Sequence, residues 1–449
     1  MSRERDYAAE LKRLCKFNDF IDFTTERIYD SEKVLNMPHV KRLLQERYLF
    51  QLPVEVIKNM DVDMHESIKV KRERLKEPTY GIEYDKLEFN TDGDDVYIES
   101  FKALSRRVAR RIASGFVGLT DKKNESYITT KDIEELVNAE FINKFADKVE
   151  YLIANLYFLP SSPFMFNAMR GALDNPKIMN LVYRKGWLTF DEWVELYNVK
   201  DPAYGSCYAM GSIEDDIKSI YDMLYYQAEV FRHSGGFGAN FSKLRSKHAM
   251  VSTIRGNSTG PVSFMNAFNQ TTELIALHSS TRRGANMFIL NSDHLEIYDF
   301  INYKTDFENE YRNLKYDNLS VGIDNKFIDS VISDSEYQLK DPHDPVLGST
   351  TRARHLWSNI VANAAMHAEP GLINFDLINA DNPELYTRGP ITSVNPCSEF
   401  QARDLSVCVL GSVNLYAFLK NSDTSLGYNF DLLENAASTL HAFLTISNC

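Results

Sequence analysis

The stretch VNPCSEFQARDLSVCVLGSVNL, residues 394–415, carries the chemistry and the strand pattern that decide the fold of this chain. Asn395, Cys397 and Glu399 surround a proline, which favours an extended backbone for the residue before it. In an extended segment, side chains two residues apart point to the same side, so an amide, a thiol and a carboxylate would converge. They could orient a substrate, donate a hydrogen atom or attack it, and move a proton. A buried structural cysteine is the alternative.

Two further cysteines extend this picture. Cys408 lies in the apolar run SVCVLGSVNL, where a core cysteine is the ordinary interpretation. Cys207 lies in the polar turn YGSCYAM, and no apolar pattern accounts for it. If the two lie on neighbouring strands, their Cα atoms could come within about 7 Å, close enough for a reversible disulfide. Such a pair would supply two electrons to a substrate.

Short apolar runs recur from about residue 150 onwards and alternate with helical segments, which predicts an α/β domain built from crossover units. One helix is marked by an apolar stripe with an aspartate, Asp215 or Asp216, at its N-cap. The stripe consists of Ile217, Ile220, Tyr221 and Leu224. The candidate strands are the stretch around Cys207 and the runs GANFSKL, NMFILN, LSVGI, LINF and LSVCVL.

Three polar loops are rich in glycine: SGGFGAN at 234–240, RGNSTG at 255–260 and STRRGAN at 280–286. Glycine lets the backbone approach a ligand and donate N–H groups, but it serves tight turns equally well. None of the loops is a GxGxxG fingerprint. Three such loops close together in an acidic chain favour nucleotide recognition, and the two arginines of the third suit anionic or base-edge contacts.

The first 150 residues have mostly helical patterns. In one helix, four apolar residues share a face and four arginines fall elsewhere, which we interpret as a docking helix with a solvated charged face, not as a nucleotide site. The apolar residues are Phe101, Leu104, Val108 and Ile112, and the arginines are Arg106, Arg107, Arg110 and Arg111. The acidic turn TDGDD at 91–95 is the best internal break.

Bulk properties exclude several classes of protein. The 449 residues are 44% hydrophobic, which can fill a large core, and the net charge of −13 argues against broad binding to nucleic acid or anionic membrane. No run of eighteen apolar residues occurs, and the charged start predicts a cytoplasmic protein. The five cysteines fit neither a secreted disulfide framework nor a zinc site, so we predict no metal. They are Cys15, Cys207, Cys397, Cys408 and Cys449.

From about residue 155 to about residue 420, the chain resembles ribonucleotide reductase catalytic subunits. The shared motifs, in order, are SSPFMFNA, GSCYAM, SGGFGANFSKLR, TGPVSFM, RRGANM, AEPGLINFDLIN, NPCSE and CVLGSVNL. The resemblance implies a ten-stranded α/β barrel of two five-stranded halves, with NPCSE in a loop at its centre. We therefore expect a mostly helical region over 1–150 and, over 151–449, the N-terminal part of the catalytic barrel with its effector and substrate loops.

The same resemblance implies a role for each residue of the cysteine segments. Cys397 would become a thiyl radical that removes the 3′ hydrogen of a ribonucleotide, and Glu399 would act as base on the 3′ hydroxyl. Asn395 would hold the substrate. Cys207 and Cys408 would be the dithiol that reduces the 2′ position and ends as a disulfide.

Other positions match nucleotide contacts of that family. The substrate positions are Ser162, Ser206 and Gly236. Asp215 and Arg255 match contacts to an allosteric nucleotide, and Arg283 matches the loop that relays effector identity to substrate choice. The implied ligands are a ribonucleoside di- or triphosphate substrate and a dNTP or ATP effector.

Two residues depart from the family pattern. Phe164 stands where a small hydroxyl residue is common, and Ala368 precedes Glu-Pro where glycine is usual. The chain also stops at Cys449, so we expect the second half of the barrel to be missing and a complementary C-terminal reductase fragment to supply it. A half barrel would leave strand edges and apolar faces uncovered.

The residues of the NPCSE and CVLGSVNL motifs are most similar to those of the adenosylcobalamin-dependent class. The alternative source of the radical is a separate metal-containing subunit. A thioredoxin- or glutaredoxin-like reductant and a homodimer are further expected partners. The alternative function is a catalytically incomplete nucleotide-binding or assembly fragment of a split reductase. The joint presence of Asn395, Cys397 and Glu399 favours the catalytic interpretation.

Overall fold

A computed structural model describes residues 30–50, 52, 54–58, 60, 64–68, 96–120, 137–247, 249–251, 255–276, 284–304, 317–421 and 426–447. The chain divides into two compact units, the first formed by Met1–Tyr204 with Leu410–Cys449 and the second by Gly205–Val409. The predicted break at 91–95, the predicted effector residue Arg283 and the terminal Cys449 lie outside the described residues.

Helices and strands are numbered in chain order. The helices are α1 (Ser31–Leu35), α2 (Pro38–Arg47), α3 (Val54–Ile57), α4 (Phe101–Ala113), α5 (Ala139–Ala154), α6 (Ser162–Asn167), α7 (Pro176–Tyr183), α8 (Phe190–Tyr197), α9 (Ile217–Arg232), α10 (Pro261–Thr271), α11 (Ile297–Ile301), α12 (Asn325–Ser333), α13 (Ala353–His367), α14 (Phe375–Ala380), α15 (Leu385–Arg388) and α16 (Phe430–Ile446). The strands are β1 (His65–Ile68), β2 (Val96–Glu99), β3 (Phe158–Pro160), β4 (Cys207–Ser212), β5 (Gly236–Asn240), β6 (Met250–Val251), β7 (Gly256–Asn257), β8 (Asn286–Asn291), β9 (Asp317–Ile323), β10 (Glu336–Lys340), β11 (Gly348–Arg352), β12 (Gly371–Asn374), β13 (Ser406–Cys408), β14 (Gly411–Val413), β15 (Leu419–Asn421) and β16 (Leu426–Tyr428).

A six-stranded mixed sheet forms the centre of the second unit, in the order β12-β9-β8-β5-β4-β13. The strands from β12 to β4 are parallel, and β13 pairs antiparallel with β4. The sequence-based α/β prediction is confirmed, and every candidate strand coincides with or overlaps one of these six. The ten-stranded barrel remains a prediction.

Both faces of the sheet are covered, and β8 shows how. Its side chains alternate, so Phe288 and Leu290 join a large apolar cluster with helices α9 to α13. Met287 and Ile289 face the other way and pack with Val394. The segment that contains NPCSE therefore runs across this second face of the sheet.

Helix α9 begins at its predicted N-cap, Asp216, whose carboxylate accepts the Ser219 N–H at 2.9 Å. The predicted stripe is not one buried face. Ile220 is buried and Leu224 packs on the core, whereas Ile217 and Tyr221 are 63% and 59% exposed. The reason is geometric, because residues four apart share a line on a helix and the two pairs define different lines.

In the first unit, α4 docks by the apolar face that the sequence predicts, and all four residues of that face are buried. The prediction that the arginines of α4 form a solvated charged face, however, is wrong. Arg107 is fully buried and Arg110 is 6% exposed. Arg110 donates to the carbonyls of Leu181 and Gly186, at and just beyond the end of α7, where a cation also suits the helix dipole.

The two residues that depart from the family pattern, Phe164 and Ala368, have structural explanations. Phe164 is fully buried, and its ring lies 5.1 Å from that of Tyr204 and 5.0 Å from that of Phe443, so the position serves core packing. Ala368 follows α13 with φ of +61°, a left-handed conformation that glycine adopts more easily. Among the described residues, no helix is long and apolar enough to cross a membrane.

Candidate active site

The NPCSE segment folds as a tight turn. The Ser398 N–H donates to the Asn395 carbonyl at 3.0 Å, and Ser398 has φ of +63°. The extended backbone predicted for this segment is therefore wrong. The Asn395 side chain holds the turn closed, since its Oδ1 accepts the Phe400 N–H at 3.0 Å. The turn, not strand alternation, presents Cys397 and Glu399.

The sheet holds the segment before this turn in place. Gly238 on β5 has no room for a side chain, because a Cβ there would lie 1.9 Å from the Val394 carbonyl oxygen. Asn240 at the end of β5 donates to the Thr392 carbonyl at 2.8 Å. On β9, Asn318 donates to the Pro396 carbonyl at 3.1 Å. Gly238, the third glycine of SGGFGAN, thus serves close backbone packing beneath the site.

Cys207 and Cys408 lie directly opposite each other on β4 and β13. The prediction that they occupy neighbouring strands is confirmed. Both are thiols, and they are 2% and 4% exposed. Cα atoms of directly opposed residues in an antiparallel pair are about 4.5–5.5 Å apart, within the range that a disulfide spans.

The Cys408 thiol is held in its protonated form. Burial raises its pKa to about 11, and the neighbouring Cys207 and Glu399 add to the rise. Ser206 acts the other way by a hydrogen bond to the sulfur, and its backbone N–H donates to the Cys408 carbonyl at 3.0 Å. At neutral pH this thiol therefore keeps its hydrogen.

Cys397 and Glu399 lie close to Cys207, one of the two buried cysteines. The sulfurs of Cys207 and Cys397 and a carboxylate oxygen of Glu399 all lie within 4.8 Å of one another. Cys207 is buried, whereas Cys397 and Glu399 are exposed. The site therefore joins a fixed buried thiol to a thiol and a carboxylate that a ligand can reach.

Asn395 provides an unused donor beside this cluster, and Gly236 allows the turn to pack close to it. Asn395 is fully buried, and its Nδ2 has no hydrogen-bond partner. Leaving a buried donor unsatisfied costs about 1–3 kcal/mol, so such groups are uncommon outside functional sites. A Cβ on Gly236 would lie 3.6 Å from the Cys207 sulfur and 2.8 Å from the Pro396 ring. Glycine at this position therefore lets the Pro396 ring of the NPCSE turn pack closely against β5 beside the Cys207 sulfur.

Ser162 belongs to the first unit. It is half-buried at the first position of α6, in the Ser-Pro dipeptide that begins the helix. The other predicted substrate positions, Ser206 and Gly236, belong to the second unit with the thiols.

Asp215, a predicted effector residue, is engaged within the protein. Its carboxylate accepts the Arg245 side chain at 2.6 Å and the Arg245 N–H at 3.1 Å, and His343 lies 3.4 Å away. Asp215 therefore orients an arginine and leaves the N-cap of α9 to Asp216. Arg255, which precedes β7, is exposed and has φ of +50°.

Sequence reasoning missed Arg245 and Asn318. Arg245 falls inside the motif GANFSKLR, where a basic residue next to a predicted effector aspartate was the available signal. Asn318 is a polar residue at the entry of an apolar strand, and only the fold shows that it holds the NPCSE turn.

The fold and the site define an α/β protein with a cross-strand cysteine pair and a third thiol beside a carboxylate. Residues 205–449 match the family described as ribonucleotide reductase, barrel domain. This chain belongs to the ribonucleotide reductase family.

Three relatives place the chain within that family. The vitamin B12-dependent ribonucleoside-diphosphate reductase of Thermoplasma acidophilum is 31% identical over 330 residues, which cover 74% of this chain and 37% of that protein. The enzyme of the same name from Mycobacterium tuberculosis is 30% identical over 301 residues, 67% of this chain and 38% of that protein. The vitamin B12-dependent ribonucleotide reductase of Streptomyces coelicolor is 30% identical over 250 residues, 51% of this chain and 25% of that protein. The chain thus spans well under half the length of these relatives.

Proposed function

We propose that this chain carries the thiol half of a ribonucleotide reductase active site and reduces ribonucleotides to deoxyribonucleotides for DNA synthesis. One observation carries the proposal: Cys207 faces Cys408 across two strands, and Cys397 and Glu399 converge on the same buried sulfur. A core cysteine would need neither the second thiol opposite it nor the exposed thiol and carboxylate beside it.

In the proposed reaction, Cys397 acts as a thiyl radical, removes the 3′ hydrogen of the ribose and returns it at the end. Glu399 takes the proton of the 3′ hydroxyl. The 2′ carbon–oxygen bond breaks, the oxygen leaves as water, and a carbon–hydrogen bond replaces it. Cys207 and Cys408 supply the two hydrogens and form one disulfide, so one substrate is reduced by two electrons for each dithiol oxidised.

The substrate would lie against the polar groups that surround the thiols. The buried Nδ2 of Asn395 is a donor in want of an acceptor, which a ribose or phosphate oxygen would provide. Gly236 lies beside the Cys207 sulfur, and Ser206 lies next to the thiol pair. Ser162 is proposed as a further substrate contact on the family motif alone.

An allosteric nucleotide, a dNTP or ATP, is proposed near Asp215 and Arg255. The ion pair of Asp215 with Arg245 supports this assignment, because it fixes a guanidinium that suits phosphate. Arg283 is kept as the residue that relays effector identity.

Adenosylcobalamin is the proposed radical source, because the relatives from T. acidophilum and M. tuberculosis are named vitamin B12-dependent. The exposed Cys397 thiol fits this proposal, since the radical must reach it from outside its own turn. The cofactor, when bound, would supply the unpaired electron that starts the reaction. A separate metal-containing radical subunit is the alternative.

We also keep the proposals of a barrel over 151–449 preceded by a helical region, a thioredoxin- or glutaredoxin-like reductant, and a complementary C-terminal reductase fragment. A homodimer has its own support. Ile217, Tyr221 and Tyr225 form an apolar line on α9 that is about 60% exposed. Tyr221→Glu should convert a dimer to a monomer in light scattering, whereas Tyr386→Glu at a 97% exposed position should not.

The decisive experiment is a reductase assay with dithiothreitol as reductant. The chain is assayed alone and with a C-terminal reductase fragment, each with and without adenosylcobalamin. Deoxyribonucleotide formation that requires adenosylcobalamin supports the proposal and the radical source. No product in any combination, including one with a metal-containing radical subunit, overturns catalysis and leaves the nucleotide-binding or assembly role, which effector titration by calorimetry would then measure.

A further inference from the structure

The atoms that converge at the thiol site are also the ligands that a soft divalent cation prefers. Two sulfurs and one carboxylate oxygen, from Cys207, Cys397 and Glu399, lie within 4.8 Å of one another. Zinc binds sulfur at about 2.3 Å and carboxylate oxygen at about 2.0–2.2 Å in a tetrahedral arrangement, which puts its ligands roughly 3.5–4 Å apart. Sub-ångström shifts would therefore close the three ligands around one ion.

The ligand types select the kind of ion. Thiolates favour Zn²⁺ and its thiophilic analogues over Mg²⁺ or Ca²⁺, which prefer all-oxygen sites. Three protein ligands leave the fourth tetrahedral position open to water or a ligand, unlike the closed four-ligand sites that stabilise folds. The arrangement thus suits a reversibly occupied site.

The three ligand groups combine one that is fixed in the sheet with two that solvent can reach. Cys207 is buried on β4, which is hydrogen-bonded between β5 and β13, so one ligand is fixed. Cys397 and Glu399 are exposed, so an ion can enter from solvent and reach all three groups. The turn that carries them is tied to the sheet through Asn318 and Pro396, which limits how far the two ligands can drift.

We propose that the reduced protein binds one thiophilic divalent cation of the Zn²⁺ class through Cys207, Cys397 and Glu399, and that this ion holds the site in a resting state. Binding displaces as many as two protons, one from each thiol, while the carboxylate coordinates directly and nothing is oxidised or reduced. The ion occupies sulfurs that a disulfide or a thiyl radical would need. Metal binding and thiol oxidation therefore exclude each other, whether or not the chain is a reductase.

The test is a titration of the full reduced chain with Co²⁺ under anaerobic conditions. Cys15 and Cys449 are replaced by serine in the background, so that only the three described thiols remain. We expect one Co²⁺ per chain with a sulfur-to-metal charge-transfer band and visible bands of a tetrahedral ion. Zn²⁺ should displace it, and weakly buffered samples should show proton release.

Variants separate this site from adventitious binding. Cys397→Ser and Glu399→Gln, both at exposed positions that folding tolerates, should each weaken Co²⁺ binding at least about tenfold, because each removes one of three ligands. Cys408→Ser is the matched control. Its sulfur lies outside the set of mutually close atoms, so the variant should bind Co²⁺ as the background does.

Oxidation gives a second readout. Protein with the Cys207–Cys408 disulfide should lose the charge-transfer band, and dithiothreitol should restore it after the reagent is removed. Absence of a band in the reduced chain, equal binding in Cys397→Ser, or loss of binding in Cys408→Ser as large as in Cys397→Ser would each overturn the proposal. None of these outcomes depends on catalytic activity, so they remain separate from the test of the reductase function.

Discussion

Two of the polar centres in the described part of the chain, one in each unit, are built in opposite ways. In the first unit, the Arg107 cluster consists of Glu99, Arg107 and Tyr183, all fully buried. Arg107 pairs with Glu99 at 2.6 Å, and Tyr183 donates to the same carboxylate at 2.6 Å. In the second unit, the thiol cluster consists of Cys207, Cys397, Glu399 and Cys408, beside an amide donor with no partner.

The difference lies in how far each centre satisfies its polar groups. Arg107 also donates to the carbonyls of Ala168 and Met165, and its guanidinium lies 3.6 Å from the centre of the Phe50 ring. Burial alone would lower the pKa of Arg107, but the charge and hydrogen bond of Glu99, together with Tyr183 and Asp201, outweigh it and raise the pKa. A centre whose polar groups are paired within the protein, such as the Arg107 cluster, holds secondary-structure elements together. A centre left incomplete, with an unused donor and the protonated Cys408 thiol, has polar groups available to a ligand.

The largest effect is expected from a substitution that disrupts the thiol cluster and leaves the fold intact. Cys397→Ser should lower turnover by at least about a thousandfold, because a serine O–H does not replace the S–H in radical chemistry. Since Cys397 is exposed, the free energy of unfolding should change by no more than about 0.5 kcal/mol. The reductase assay and thermal unfolding measure the two quantities. Full activity of the variant would refute the assignment of Cys397.

Cys207→Ser separates the dithiol from the radical thiol. It should block multiple turnovers, because no disulfide can form with Cys408 once one partner lacks its sulfur. Quench-flow measurement of product per active site tests this. Sustained turnover in Cys207→Ser would remove the dithiol from the proposed mechanism.

Breaking the Arg107 cluster should have the opposite signature. Arg107→Met leaves the Glu99 carboxylate buried without its cation, so the free energy of unfolding should fall by about 3–5 kcal/mol. Arg232→Met, at a pair with Glu229 whose arginine side chain is 63% exposed, should cost less than about 1 kcal/mol. Denaturant unfolding monitored by circular dichroism measures both. Equal losses in the two variants would contradict the distinction between the centres.

The two centres should also differ in how alkaline pH affects their contribution to stability. The pKa of Cys408 rises from 9.0 to about 11 in the fold, so its stabilising contribution is complete below pH 9 and is lost as pH rises towards 11. The loss should amount to about 1–3 kcal/mol. In the Arg107 cluster, the pKa values of Arg107 and Tyr183 are both raised, so that centre keeps its protons to higher pH.

Thermal unfolding of the parent and of Cys408→Ala from pH 8 to 11 tests this. The parent should lose stability more steeply than the variant between pH 9 and 11, with reductant present throughout. Parallel curves would show that Cys408 does not titrate as the fold requires.

The smallest expected effect concerns backbone strain. Ala368→Gly removes a Cβ from a residue with φ of +61°, and the protein should gain about 0.5 kcal/mol, part of the relief being offset by the freer unfolded chain. Ala365→Gly, on the exposed side of α13, should cost about 1 kcal/mol. Denaturant midpoints of the two variants should therefore move in opposite directions, and a loss at both positions would contradict the strain argument.

Particular residues show how far sequence reasoning reaches. The runs NMFILN and LSVGI predicted β8 and β9 because a buried parallel strand is apolar on both faces. The NPCSE motif located Cys397 and Glu399, but the extended backbone expected for it was wrong. Proline restricts only the residue before it, whereas the hydrogen bond from Ser398 to Asn395 closes the turn. The burial of Arg107 had no local signal, since Ala168 and Met165 are about sixty residues away.

By itself, the sequence determined the α/β class and the segments that form the central sheet, and it singled out the cysteines for which we propose chemistry. These properties follow from local periodicity and from side-chain chemistry, which each segment possesses alone. Only the tertiary structure decided that Cys207 faces Cys408, that Cys397 and Glu399 join them, and that Arg107 is buried. Cys207 and Cys408 are some two hundred residues apart, and only the pairing of β4 with β13 brings their sulfurs into one site.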